Sequence, residues 1–152
     1  SDHMTLTLGD TKFELYYTPG HSTSQTCVYV PKERAAFVGD TLFVDCQTWL
    51  HSADIGCLLK TLDFLETLDV DFFVPGHGPV CDKSYIAKQR SFIYEWIDAV
   101  GKGIAKGWDM DTCVRNISFA DRYPMDIGQP ESMEYVERTN VIRCYKYLTN
   151  QQ

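Results

Sequence analysis

Thr18-Pro19-Gly20-His21-Ser22 and Val74-Pro75-Gly76-His77-Gly78-Pro79 each set a histidine behind Pro-Gly, in a chain that has only four histidines. Between them runs Phe37-Val38-Gly39-Asp40-Thr41-Leu42-Phe43, an apolar segment that arrives at Gly-Asp. Pro fixes φ and Gly admits conformations that other residues resist, so each prefix reads as a rigid turn presenting an imidazole from a strand end. A carboxylate directly after a buried strand must be solvated, hydrogen-bonded or metal-bound. His21, Asp40 and His77 therefore form a candidate metal cluster drawn from three strand ends. Imidazole nitrogen and carboxylate oxygen suit zinc, whose catalytic sites keep a position open for water and bring its pKa to about 7.

Outward from these motifs, Leu6 to Tyr17 alternates around Gly9-Asp10 and predicts two strands. Gln25 to Val30 and Arg34 to Val38 predict two more, with Pro31-Lys32-Glu33 as the turn between them. From Ser52, placed as an N-cap, Ile55, Leu58, Leu59, Leu62, Leu65 and Leu68 recur at steps of three and four and predict an amphipathic helix. Val70 to Val74 reads as a short strand ending at Pro75. Helices are expected from about Asp82 to Lys106, weakened by Gly101 and Gly103, then from Trp108 to Ile117 with Asp109 as cap. Phe119 to Pro130 reads as a loop, and Glu131 to Leu148 as a last helix with Met133, Val136, Ile142 and Tyr145 inward.

The 152 residues, 44% hydrophobic and 13% aromatic, are enough for a packed core. A net charge of −7 with dispersed basic residues argues against nucleic acid or an anionic membrane as partner. No apolar run approaches the roughly 20 residues that span a bilayer. The six cysteines contain no C-x-x-C pair and read as reduced, mostly buried thiols of a cytoplasmic protein. Ser1-Asp2-His3-Met4 reads as the remnant of a cleaved expression tag.

The order T-P-G-H-S, hairpin, F-V-G-D-T-L-F, helix, F-V-P-G-H-G-P resembles the C-terminal half of metallo-β-lactamase-fold hydrolases. The resemblance covers Leu6 to Val80, with 19 residues from His21 to Asp40 and 37 from Asp40 to His77. It implies an α/β (α+β) architecture: half of an αββα sandwich over residues 5–81, an antiparallel or mixed sheet with helices on one face, followed by a helical C-terminal extension over 82–152. It also implies a dinuclear zinc site in the complete enzyme, with iron or manganese as alternatives. His21 matches the third histidine of the first metal position, His77 the histidine of the second, and Asp40 the bridging carboxylate and expected catalytic residue. Asp at that position, where some true β-lactamases carry Cys, leans toward the glyoxalase-like group.

The family's other ligands come from an upstream H-x-H-x-D-H segment, which these residues lack. The chain therefore reads as the C-terminal portion of a hydrolase that acts on an ester, thioester, lactone or similar bond of a small molecule, and as inactive alone. Self-association, or pairing with an N-terminal half, is expected to cover the sheet face left open. Asp45, Thr48, Trp49 and His51 are candidate pocket residues; His51 also reads as a surface or helix-capping residue. Two alternatives stand beside the hydrolase: an iron-dependent, sulfur dioxygenase-like oxidoreductase of the same fold, and a non-catalytic assembly module.

Overall fold

The computed structural model describes residues 2–124 and 132–151. Its first elements are β1 (His3–Leu8) and β2 (Thr11–Tyr17), paired antiparallel around Gly9, whose φ of 58° suits the tight turn. Next come β3 (Thr26–Val30), a single 3-10 turn over Pro31–Glu33, and β4 (Ala35–Phe43). Helix α1 (Ile55–Thr67) then crosses over to β5 (Phe72–His77), which lies parallel to β4. The sheet is thus mixed, in the order β1-β2-β3-β4-β5, and its single parallel pair is the one joined by a helix, as a parallel crossover requires. Three further helices follow: α2 (Tyr85–Ala105), α3 (Met110–Asn116) and α4 (Ser132–Leu148).

The register sorts the strand residues into two faces. Tyr16, Cys27, Ala36 and Phe73 share one face through the pairs Tyr16↔Cys27, Tyr29↔Ala36 and Ala36↔Phe73. That face joins Leu58, Leu62 and Leu65 of α1 and Ile86, Ile93 and Trp96 of α2 in one continuous core, and Tyr16 meets Phe64 of α1 at 5.0 Å. The opposite face carries Met4, Leu6, Phe13, Leu15, Val28 and Phe37. Helices therefore cover one face of the sheet, and the chain is α+β as expected.

Several boundaries differ from the sequence reading. The first strand begins at His3, inside the stretch read as a tag remnant; His3 pairs with Tyr16 and bonds Glu14 at 2.6 Å. Helix α1 is capped by Asp54, whose carboxylate accepts from the Cys57 N–H at 2.9 Å, and not by Ser52, whose hydroxyl donates to the His21 carbonyl at 3.2 Å. β4 runs on past Asp40 to Phe43, and β5 runs through Pro75 to His77, because Phe43 pairs with His77 beyond a register shift. Pro75 is tolerated there since β5 is an edge strand of the sheet.

Helix α4 is rotated from the expected stripe. Glu137 and Asn140 are buried along with Val136, Val141 and Cys144, whereas Met133, Ile142 and Tyr145 are only half-buried. The Gly101 and Gly103 that were expected to weaken α2 lie inside it. Of the predicted loop Phe119 to Pro130, residues 125–130 lie outside the described part. All six cysteines are free, and burial pushes the Cys27 and Cys144 thiols up to about 12. Among the described residues no helix is long and apolar enough to cross a membrane.

Candidate metal centre

The loop after β2 carries His21 and is held against α1 from several sides. Thr61 donates to the Pro19 carbonyl at 2.6 Å, and the Asp54 N–H donates to the Gly20 carbonyl at 2.8 Å. A Cβ on Gly20 would lie 2.5 Å from the Leu58 Cα, so only glycine lets this loop rest on the helix backbone. The second Pro-Gly-His uses its glycine differently. A Cβ on Gly76 would lie 2.0 Å from the Asp40 Oδ1, so this glycine leaves the space that the carboxylate fills.

Asp40 is aimed by an irregularity in β4. Gly39 has φ of 51°, and Gln25 clamps the distortion by donating to the Val38 carbonyl at 2.8 Å and to the Thr41 hydroxyl at 3.0 Å. In a regular strand, residues three apart face opposite sides. The register shifts between Phe37 and Phe43 remove that restriction, and both Asp40 and Phe43 reach His77. Phe43 stacks on His77 with centroids 4.8 Å apart and planes 7° apart, and meets His21 at 5.7 Å.

The three candidate ligands converge as two pairs. His21 Nε2 stands 3.6 Å from Asp40 Oδ2, and His77 Nε2 stands 3.7 Å from Asp40 Oδ1. Both separations exceed a charge-assisted hydrogen bond of about 2.7–2.9 Å. They lie near the roughly 3.4 Å that separates two ligands on one tetrahedral zinc, given metal–ligand bonds of about 2.0–2.2 Å. The carboxylate thus offers one oxygen to each histidine, which is the arrangement of a bridging ligand. Each position receives one nitrogen and one oxygen, two donors where a zinc site takes three or four from protein. Accordingly, no group of three or more such side chains able to hold an ion is found among the described residues.

The electrostatics favour ligation at His21. Burial holds its pKa below the ordinary value, against the raising effect of Asp40; His51 and His77 lower it further, and the Trp49 backbone raises it. A neutral ring keeps a lone pair on a nitrogen. With Nε2 turned to Asp40, Nδ1 is buried without a hydrogen-bond partner; the Trp49 backbone lies near without meeting hydrogen-bond geometry. A donor pair with this spacing and a neutral imidazole fits zinc. The fit is partial, because each position lacks donors.

The candidate pocket residues part company. Asp45 has φ of 57°, its N–H donates to the Tyr85 hydroxyl at 2.6 Å, and it lines a cavity of about 200 Å³ with Phe43, Tyr85, Lys88 and Tyr123. Trp49 stacks on the exposed His51 at 4.3 Å and donates to the Thr139 hydroxyl at 3.1 Å. Thr48 is buried: its hydroxyl accepts from Gln89 at 2.9 Å and its carbonyl from Asn140 at 2.7 Å. It anchors the loop from beneath.

That anchoring network escaped the sequence reading. Asn140 also accepts from the Leu50 N–H at 2.7 Å, and Glu137 accepts from the Phe119 N–H at 2.6 Å and the Ser118 hydroxyl at 2.7 Å. The sole signal was the spacing of Glu137, Asn140 and Cys144 by three and four, one helical face of mixed polarity.

Comparison with known proteins bears on the family and the fold. The profile of the Metallo-beta-lactamase superfamily matches residues 1–77, half of the chain. A hydroxyacylglutathione hydrolase of Maricaulis maris is 50% identical over 38 residues, 25% of this chain and 15% of that protein. One of Francisella tularensis subsp. novicida is 41% identical over 68 residues, 43% of this chain and 27% of that protein. These matches thus span about a quarter or less of the relatives' length. Among solved structures, a metallo-beta-lactamase family protein from Thermus thermophilus superposes with a TM-score of 0.71 at 14% identity, over 99% of this chain and 48% of that one. That likeness extends the shared fold through the C-terminal helices. The chain belongs to the metallo-beta-lactamase superfamily.

Proposed function

We propose that this chain is the C-terminal portion of a zinc-dependent hydrolase with two metal positions, straddling Asp40, that cleaves an ester, thioester or lactone of a small molecule. One observation carries the reading: His21 Nε2 and His77 Nε2 face opposite oxygens of the same carboxylate. Similarity to hydroxyacylglutathione hydrolases, and to an atrochrysone carboxyl ACP thioesterase of Aspergillus fumigatus (33% identical over 66 residues), supports an acyl thioester as substrate class. Six free cysteines support a reducing compartment, the cytoplasm.

Bound zinc would supply a water of pKa about 7 and polarise the scissile carbonyl. The residues of this chain do the positioning. His21 and His77 fix one donor at each position, Asp40 sets the spacing between the positions, and Gly76 keeps the room that Asp40 needs. Phe43 packs on the His77 ring and holds its plane, as an apolar wall holds a ligand's orientation. With two donors at each position, these 152 residues alone bind zinc weakly and turn nothing over.

The test is a panel of thioesters, lactones and phosphodiesters assayed with added zinc, beside a zinc titration. Expected are no turnover, and weak zinc binding that Asp40→Ala removes at both positions together. Robust turnover by the chain alone, abolished by Asp40→Ala, would overturn the half-site reading. Zinc binding that survives Asp40→Ala would overturn the bridging role.

A further inference from the structure

Residues 44–54, between β4 and α1, form neither helix nor strand, yet Thr48, Leu50 and Ala53 within them are buried. A buried irregular segment has no ladder of its own, so it takes its shape from the groups that satisfy its backbone. Here one face of α4 supplies them. Asn140 donates to the Thr48 carbonyl and accepts from the Leu50 N–H, both at 2.7 Å, and Arg143 Nε donates to the Ala53 carbonyl. The Thr139 hydroxyl accepts from the Trp49 indole at 3.1 Å. Arg143 follows Asn140 by three positions and Thr139 by four, which puts these side chains on one side of the helix.

The same segment also holds the loop that carries His21. The Ser52 hydroxyl donates to the His21 carbonyl at 3.2 Å and the Asp54 N–H to the Gly20 carbonyl at 2.8 Å, while Thr61 of α1 donates to the Pro19 carbonyl at 2.6 Å. All three carbonyls of Pro19-Gly20-His21 are thereby fixed from outside the loop. The ring has less to steady it. A histidine ligand ordinarily donates its second nitrogen to an outer partner that sets its plane. The buried His21 Nδ1 has no such partner, and the Trp49 backbone that lies near it belongs to the segment that α4 holds. His77 is held by the sheet instead: it pairs with Phe43, stacks on that ring, and its carbonyl accepts from the Val44 N–H at 2.9 Å.

We propose, resting on the reading of His21 as a metal ligand, that α4 positions one half of the metal centre: Thr139, Asn140 and Arg143 fix residues 48–53, and Ser52 and Asp54 carry that placement to the backbone of His21. The C-terminal helix, which lies beyond the residues matched by the family profile, thus aims the donor of one metal position and not of the other. Arg143 and Ser52 act through the backbone of the segment and are positioning residues. When the segment loosens, the imidazole can swing away from its place beside Asp40. Loss of outer support of a ligand costs about 10–100-fold in metal affinity, and support that acts through the backbone belongs at the low end of that range.

The experiment is a zinc titration of the chain followed by proton–nitrogen correlation spectra of the histidine rings, which report His21 and His77 separately. In the wild type both rings should shift. Arg143→Met keeps the apolar stem and removes the donor; the zinc midpoint at His21 should rise about tenfold while that at His77 stays within about twofold. Arg143→Lys, which can still donate to the Ala53 carbonyl, should bring the His21 midpoint back toward the wild type. Ser52→Ala changes an exposed side chain and should raise the His21 midpoint by less, which keeps the test open if Arg143→Met does not fold. Asp109→Ala removes the cap of α3 and lowers stability away from the segment, so it should leave both midpoints in place. A His21 midpoint that stays put in Arg143→Met or Ser52→Ala, an equal rise at both histidines, no return with lysine, or an equal rise with Asp109→Ala each overturns the positioning role and leaves the metal reading standing. Zinc that does not shift the wild-type His21 ring overturns the metal reading, and the positioning role with it.

Discussion

Replacing Asn140 by Ala should destabilise the chain far more than its small volume predicts. Asn140 is fully buried, accepts from the Leu50 N–H at 2.7 Å and donates to the Thr48 carbonyl at 2.7 Å. Alanine leaves both backbone groups buried and unpaired, each at about 1–3 kcal/mol, so the loss is about 2–6 kcal/mol. That is a large share of the roughly 5–15 kcal/mol that holds a domain folded. Urea unfolding followed by tryptophan fluorescence measures it as a fall in the midpoint at constant slope. Asn140→Asp separates the cause from simple volume. A buried Asp is held neutral, and as a neutral acid it keeps both a donor and an acceptor. Its folded pKa then lies above the roughly 3.9 of an unfolded Asp, so its stability is fullest below that value and falls as pH rises through the folded pKa. An alanine variant that loses less than about 1 kcal/mol, or an aspartate variant with the wild type's pH profile, would refute this account of the buried amide.

Gly76→Ala should disturb the metal centre more than the fold around it. The new methyl would stand 2.0 Å from Asp40 Oδ1 and 2.8 Å from the Asp40 nitrogen, so the carboxylate has to leave its place between the histidines. The expected cost is about 1–3 kcal/mol in stability with loss of zinc binding; retained binding would show that Asp40 does not need this pose. Glu14 should protect the chain in acid. Hydrogen bonds from Lys12, then Thr5 and His3, hold its pKa at about 2 against an ordinary 4.5. Its contribution is complete above the unfolded value and is lost as pH falls toward 2, so Glu14→Gln should flatten the wild type's stability change over that window. Parallel acid titrations of the two proteins, followed by circular dichroism, check it.

Much of the fold was legible because it is written locally. Alternation in Leu6 to Tyr17, the Pro31-Lys32-Glu33 turn and the leucine spacing from Ile55 to Leu65 each follow from a period that a single element imposes. The strand ends were less legible. β4 and β5 extend each other through parallel pairing, so Asp40 and His77 lie inside strands that local pattern had ended before them. The cap of α1 moved from Ser52 to Asp54 because the Ser52 hydroxyl is taken by the His21 carbonyl, a residue 31 positions away. Phe43 was in plain view in its motif, yet its stacking on His77 depends on the register shifts of β4.

The sequence by itself determined the candidate ligand types, their order and the glycines that precede the histidines, because residue chemistry and spacing do not depend on the partner elements. Tertiary structure decided what those residues do to one another. It showed that Gly20 makes room for a helix backbone and Gly76 for a carboxylate, two different needs behind the same dipeptide. It placed Asn140 beneath the loop of Thr48 and Leu50, and Glu137 against Ser118 and Phe119, against the apolar pattern of their own helix. It also gave each histidine its own oxygen of Asp40. These are contacts between segments up to 92 positions apart, and no local period encodes them.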